Sequence, residues 1–149
     1  MHVERCAALH LSTDPATALP LFSPEGERRW VAGWEPEPLH APGGTLSASG
    51  AVFRTRADGE ETLWLVLAFD RERGRAAYAR LTPGSRLGTV EVELEADRAG
   101  GTRARVTYRL TSLSERGAAA LSELTPDAFA GWIAGWERDL AACLAESGA

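Results

Sequence analysis

Between residues 46 and 112 the chain breaks into five strand-length runs, SASGAVFRT, ETLWLVLAFD, RAAYARLTP, GTVEVELEA and TRARVTYRLT. Between them stand only the short polar separators ADGE, RERG, GSRLG and DRAGG. Connections this short join antiparallel neighbours, whereas a parallel pair needs a crossover of a dozen or more residues. The middle of the chain is therefore predicted to be an antiparallel meander.

The last two runs alternate cleanly. Val90, Val92 and Leu94 face one way, and Glu91, Glu93 and Glu95 the other. Ala104, Val106, Tyr108 and Leu110 share a face, with Arg103, Arg105 and Arg109 on its reverse. One face is apolar; the other sets glutamates against arginines, as a solvated sheet face does. The run LWLVLAF is apolar on both sides. Periodicity leaves open whether Trp64, Val66 and Ala68 point inward, or Leu63, Leu65, Leu67 and Phe69 do. The outward set would need cover, and a homodimer is one way to supply it.

What flanks the meander is different. VERCAALHL, residues 3–11, reads as a first strand, stopped at Thr13-Asp14-Pro15. Thr13 or Asp14 suits a helix N-cap, with Pro15 in the first turn. Ser23-Pro24-Glu25 repeats that signal and opens a second short helix, EGERRWVAGW, closed by Gly33, Pro36 and Pro38. At the other end Thr125-Pro126-Asp127 starts a long helix. Phe129, Ile133, Trp136 and Leu140 form its apolar stripe, with Trp132 and Cys143 alongside. Residues 114–124 are a further helical turn or loop.

A near-duplicate hexapeptide, WVAGWE at 30–35 and WIAGWE at 132–137, spans these two regions. Its flanks do not match, EPEP following one copy and RDLAACLAE the other, so no internal repeat underlies it.

A chain of 149 residues predicts one domain, 1–149, with a full core. Its net charge of −5 argues against a nucleic-acid partner, which would call for clustered basic charge. No apolar run is long enough for a membrane span. There is no lysine, asparagine or glutamine, which removes Schiff-base chemistry and amide-built oxyanion holes. Cys6 and Cys143 read as reduced, buried apolar residues of a cytoplasmic protein. His2, His10 and His40 have no metal-ligand spacing, so neither a metal nor a cofactor is expected. None of the serines sits in a nucleophile elbow, and no catalytic residue is assigned. Glu25, Glu27, Glu60 and Glu61 are most simply solvated, and His10 is more simply an ordinary strand residue than a general base. Tyr78 and Arg80 share one face of a strand. An inward Arg80 would be a buried cation in need of a carboxylate or an anionic ligand; an outward one would join the charged ladder.

The order of elements, with the segments LFSPEGERRWVAGWEPEPL, AVFRT, TLWLV, YARLTPGSRLGTVEVEL and VTYRLTSLSERG, resembles the START-like (SRPBCC) superfamily. Its members include PR-10 proteins, polyketide cyclases and Aha1-type chaperone activators. The resemblance implies an α+β helix-grip fold: a curved antiparallel sheet around the long C-terminal helix, with two short helices after the first strand. It further implies a cavity between sheet and helix. Trp30 and Trp34 would lie near the cavity's end, and Phe129, Trp132, Ile133 and Trp136 on its helical wall. Phe53, Trp64, Tyr78, Arg80 and Tyr108 would line it from the sheet. The function expected is binding of a hydrophobic, lipid-like or aromatic small molecule. The alternatives are a polyketide cyclase or dehydratase-like enzyme, and a protein-interaction module using an apolar outer sheet face.

Overall fold

The computed structural model describes residues 1–147. Seven strands form one antiparallel sheet: β1 (His2–Leu11), β2 (Glu37–His40), β3 (Val52–Ala57), β4 (Glu60–Asp70), β5 (Arg75–Thr82), β6 (Arg86–Ala96) and β7 (Thr102–Ser112). Their spatial order is β1-β7-β6-β5-β4-β3-β2, a meander from β2 to β7 that β1 joins at the β7 edge. Three helices accompany the sheet: α1 (Pro15–Ala18), α2 (Glu115–Glu123) and α3 (Pro126–Ser147).

The turns form where the sequence supplies acceptors. Asp70 accepts from the Arg73 amide at 3.0 Å, and Asp97 from those of Ala99 and Gly101 at 2.8 and 2.9 Å. Asp14, rather than Thr13, caps α1 by accepting from the Thr17 amide. Thr125 caps α3 by accepting from the Ala128 amide.

The predicted second short helix is curtailed. Only Gly26–Arg29 is helical, as one 3-10 turn, and the chain then turns through residues 30–33 with Gly33 at φ 73°. Gly33 and the prolines beyond it cannot continue a helix. The segment Glu37–His40, to which the sequence reading assigned no element, adds β2 to the β3 edge. Pro38 is tolerated there because an edge strand need not donate on its free side.

The outer face carries the expected ladder. Arg105 meets Glu93 at 2.7 Å and Arg103 meets Glu95 at 3.4 Å. Inside, Val90, Val92, Leu94, Ala104, Val106 and Leu110 are buried against α3, whose Phe129, Ile133, Leu140 and Cys143 are buried in turn. In β4 the inward residues are Trp64 and Val66, while Leu65 and Leu67 are 40% and 44% exposed. A bulge at Leu67 then shifts the parity, so that Phe69 pairs with Ala76 and returns to the core side. Neither alternating set of that strand is inward throughout.

Cys143 is buried, but Cys6 is exposed, which corrects the expectation that both are interior. On β1 the inward positions are Val3, Leu9 and Leu11, and odd–even alternation leaves Cys6 outside.

Candidate functional site

Sheet, α3 and the turn after α1 enclose a cavity of about 380 Å³. Its sheet wall comes from the inward positions of four strands: Phe53, Trp64, Tyr78 with Arg80, and Val90 with Val92. Tyr108 on β7 adds a fifth. The helix contributes Trp132 and Trp136, and the turn contributes Pro24, Glu27, Val31 and Trp34. Exposed residues of the lining mark the mouth: Ala32 and Gly33 on one side, Ala57 and Asp58 of the β3–β4 turn on another, and Trp132.

Of the residues expected to line this space, Trp34, Phe53, Trp64, Tyr78, Arg80, Tyr108, Trp132 and Trp136 stand on its wall. Trp30, Phe129 and Ile133 do not; they belong to the packed core at 7%, 1% and 1% exposure. The reason is helical phase. Phe129 and Ile133 lie on the face of α3 turned into the sheet, with Phe129 edge-on to Tyr108 at 5.5 Å. Trp132 and Trp136 lie beside that face, toward the opening. Trp30 is pinned inward because its indole donates to the Leu21 carbonyl at 2.7 Å.

The two hexapeptides meet. Trp30 of the first packs edge-to-face on Trp136 of the second at 5.5 Å, and Trp136 on Trp132 at 5.2 Å. Trp34 turns the other way. Its indole donates to the Pro24 carbonyl at 2.7 Å, and its ring meets Phe53 and Trp64 at 6.0 and 5.8 Å. Phe53 and Trp64 stack, their planes 2° apart. Rings therefore wall the cavity from two sides. Each such pair adds about 0.5–1.5 kcal/mol beyond its area burial, so the wall is stiff.

The polar groups are few. Tyr78 donates to the Phe22 carbonyl at 2.7 Å, and Trp64 to the Thr55 hydroxyl at 2.9 Å. Arg80 points inward, with its guanidinium 4.8 Å over the Trp64 ring. Its Nε is buried without a hydrogen-bond partner among the described residues. Enclosure pushes the Arg80 pKa down, and the neighbouring Tyr108 only partly opposes this. Burial in turn raises the Tyr108 hydroxyl well above the usual tyrosine range.

Three acidic residues expected to be solvated have structural partners or enclosure. Glu25 accepts from Ser47, Thr45 and the Leu46 amide at 2.8 to 3.0 Å. Burial raises its pKa, but these bonds outweigh burial and leave it low. Glu60 takes both Arg86 amino groups at 3.1 and 3.2 Å at the cavity rim, and this pairing holds its carboxyl below the ordinary range. Glu27 lines the cavity, where desolvation lifts its carboxyl well above the ordinary glutamate range. One signal pointed to Glu27: in a 3-10 turn residues i and i+3 share a face, and Trp30 is three residues on. Arg86 was likewise legible as the extension of the alternation that places Val90 and Val92 inside.

His10, the histidine weighed as a base, lies on the outer face with Nδ1 2.8 Å from Asp97. Among the described residues no cluster of three or more His, Cys, Asp or Glu could hold a metal. No helix of the described residues is long and apolar enough to cross a membrane.

No protein-family model and no curated protein sequence matches the chain. Solved structures do. The major latex-like protein 151 of Panax ginseng superposes with a TM-score of 0.69 at 14% identity, over 95% of this chain and 97% of that one. Norcoclaurine synthase from Thalictrum flavum gives 0.69 at 10% identity, over 98% and 88%. It has also been solved in complex with dopamine and hydroxybenzaldehyde. A protein from Mesorhizobium loti gives 0.67 at 16% identity, over 98% of each chain. Likeness at such identities speaks for the fold alone. With a seven-stranded antiparallel sheet, short helices after β1 and a long C-terminal helix, this chain has the helix-grip fold that these structures share.

Proposed function

We propose that the protein binds a hydrophobic small molecule of aromatic character in this cavity. The observation that carries the reading is the cavity itself: about 380 Å³ of space with Trp34, Phe53, Trp64, Trp132 and Trp136 on its wall. Small-molecule sites are concave, largely apolar and of ~300–1,000 Å³, with a few polar groups that set orientation. Covering ~300 Å² of ligand would supply about 7 kcal/mol, part of which the ordering costs take back. Micromolar affinity follows without a catalytic group. Two free cysteines suit a reducing setting, and we take the cytoplasm as the place of action. The test is native mass spectrometry of freshly purified protein, joined to tryptophan fluorescence titration with one- and two-ring aromatics. Saturable quenching supports the reading; no bound mass and no quenching at millimolar ligand overturn it.

One observation favours a second reading, an enzyme of the cyclase type. Glu27 holds a carboxyl of raised pKa inside the cavity, as proton-transfer groups do. Cyclised product from a poly-β-keto thioester, lost in Glu27→Gln, would support it; unchanged substrate with the native chain would sink it. Association through Leu65 and Leu67 on the outer face is read directly by light scattering. A single-chain mass excludes the homodimer.

A further inference from the structure

The geometry points to a ligand that carries an anionic group, of carboxylate type, on its aromatic body, held by Arg80. This rests on the cavity reading above and narrows it to a chemical class.

The argument is a charge balance inside the enclosure. Six side chains of the lining can carry charge: Arg56 and Asp58, both exposed at the mouth with Arg56 paired to Glu61, and Glu27, Glu60, Arg80 and Arg86 farther in. Glu60 and Arg86 satisfy each other through two hydrogen bonds at 3.1 and 3.2 Å. Glu27 makes no ion pair among the described residues, and its enclosure raises its carboxyl well above the ordinary glutamate range. Arg80 makes no ion pair among the described residues, and its Nε hydrogen meets no acceptor. Of the two inner arginines, Arg80 is therefore the one left without an ion-pair partner among the described residues. An arginine is not relieved by losing its proton at ordinary pH, because its pKa starts too high. A buried cation without a counter-charge is costly unless something supplies one.

The shape of the vacancy follows from the guanidinium. Its flat face is covered by Trp64 at 4.8 Å, so its edge is what remains for bonding. The two terminal nitrogens, which unlike the sealed Nε reach the open space, form the end-on fork that matches two carboxylate oxygens. Trp64 and its stacked neighbour Phe53 would lie beside the ligand ring attached to that carboxylate. Tyr108, next to Arg80, keeps its hydroxyl proton and is a further donor toward the same anion. Elsewhere on the wall stands the Glu27 carboxyl, whose pKa desolvation raises.

Isothermal titration calorimetry at pH 7 with 2-naphthoate and its uncharged counterpart 2-naphthylmethanol tests this. The native protein should bind 2-naphthoate at least about tenfold more tightly, the range a close buried charge pair commands. In Arg80→Met that preference should vanish. Arg80→Lys, which keeps charge but not the fork, should fall between. Equal affinity of the native protein for both compounds overturns the anion inference and leaves the cavity reading standing. A preference for 2-naphthoate that survives in folded Arg80→Met overturns the assignment to Arg80. Binding of neither compound at millimolar concentration overturns both. The native comparison decides for or against an anionic ligand even if a variant fails to fold.

Discussion

At the scale of single residues, the unusual choices are Glu27 and Arg80, a carboxyl and a guanidinium inside an aromatic enclosure, neither of them in an ion pair among the described residues. Glu27 has a consequence for stability that can be measured. Its folded pKa lies above its unfolded one because the enclosure disfavours the carboxylate. Below the unfolded pKa both states are protonated and nothing is lost. As pH rises from there through the folded pKa, the unfolded state ionises more readily and stability falls. Glu27→Gln removes that loss. The variant should melt higher than the native chain at pH 7, by on the order of a few degrees, and match it near pH 4. Calorimetric scans at the two pH values check this; an equal offset at both would mean that the carboxyl does not titrate differently on folding. Inward placement of Arg80 was one of two open readings, because Tyr78, Arg80 and Thr82 show only that the three share a face. The apolar side chains of neighbouring strands decided which face it was.

At the scale of elements, α3 divides its aromatic residues between two tasks. Phe129 is 1% exposed and interlocked with Tyr108, whereas Trp132, three residues on, is 42% exposed at the cavity mouth. Phe129→Ala should cost about 3–5 kcal/mol in urea unfolding. Trp132→Ala should cost under half of that and instead weaken aromatic ligand binding, as titration of the two variants would show. Reversed costs would put the cavity on the wrong side of the helix. The short helix α2 is held by a close approach: a Cβ on Gly117 would stand 1.8 Å from the Ser85 carbonyl oxygen. Alanine gains about 1 kcal/mol of helix propensity over glycine. The displaced backbone should outweigh this, for a net loss of about 2 kcal/mol in Gly117→Ala by denaturant melts. Elements with strong periodicity, namely β6, β7 and α3, were legible beforehand. The strand β2 was not, since Glu37–His40 contains Pro38, lies between Pro36 and Pro42-Gly43-Gly44, and gains its ladder from β3 alone. The bulge at Leu67 was also hidden, because an apolar run on both faces carries no parity to break.

For the whole molecule, the sheet has two outer halves. Across β6, β7 and β1 it is a network of arginine and glutamate, and on β4 it shows Leu65 and Leu67. The inner face is continuous core except for the cavity. A hollow of this kind lowers the packing of the free protein, and an occupant restores it. A saturating ligand at about 100 times its Kd should stabilise the fold by roughly 2.7 kcal/mol, a rise in Tm of about 5–10 °C at this size. Differential scanning fluorimetry with 2-naphthoate measures the rise. A ligand that binds by calorimetry but leaves Tm unchanged would have to bind folded and unfolded chains alike, which an enclosed site does not allow.

The amino-acid order alone determined the meander, the long capped helix and the aromatic inventory. Each is written locally, in alternation of period two, in a stripe of helical period and in turn residues at fixed places. It did not determine that the paired hexapeptides touch, that Phe129 and Ile133 are core while Trp132 and Trp136 face the hollow, or that Glu27 is enclosed. Those depend on the angle at which α3 lies in the sheet and on where the turn after α1 folds back. Such placements follow from packing between segments about a hundred residues apart, and no local period records them.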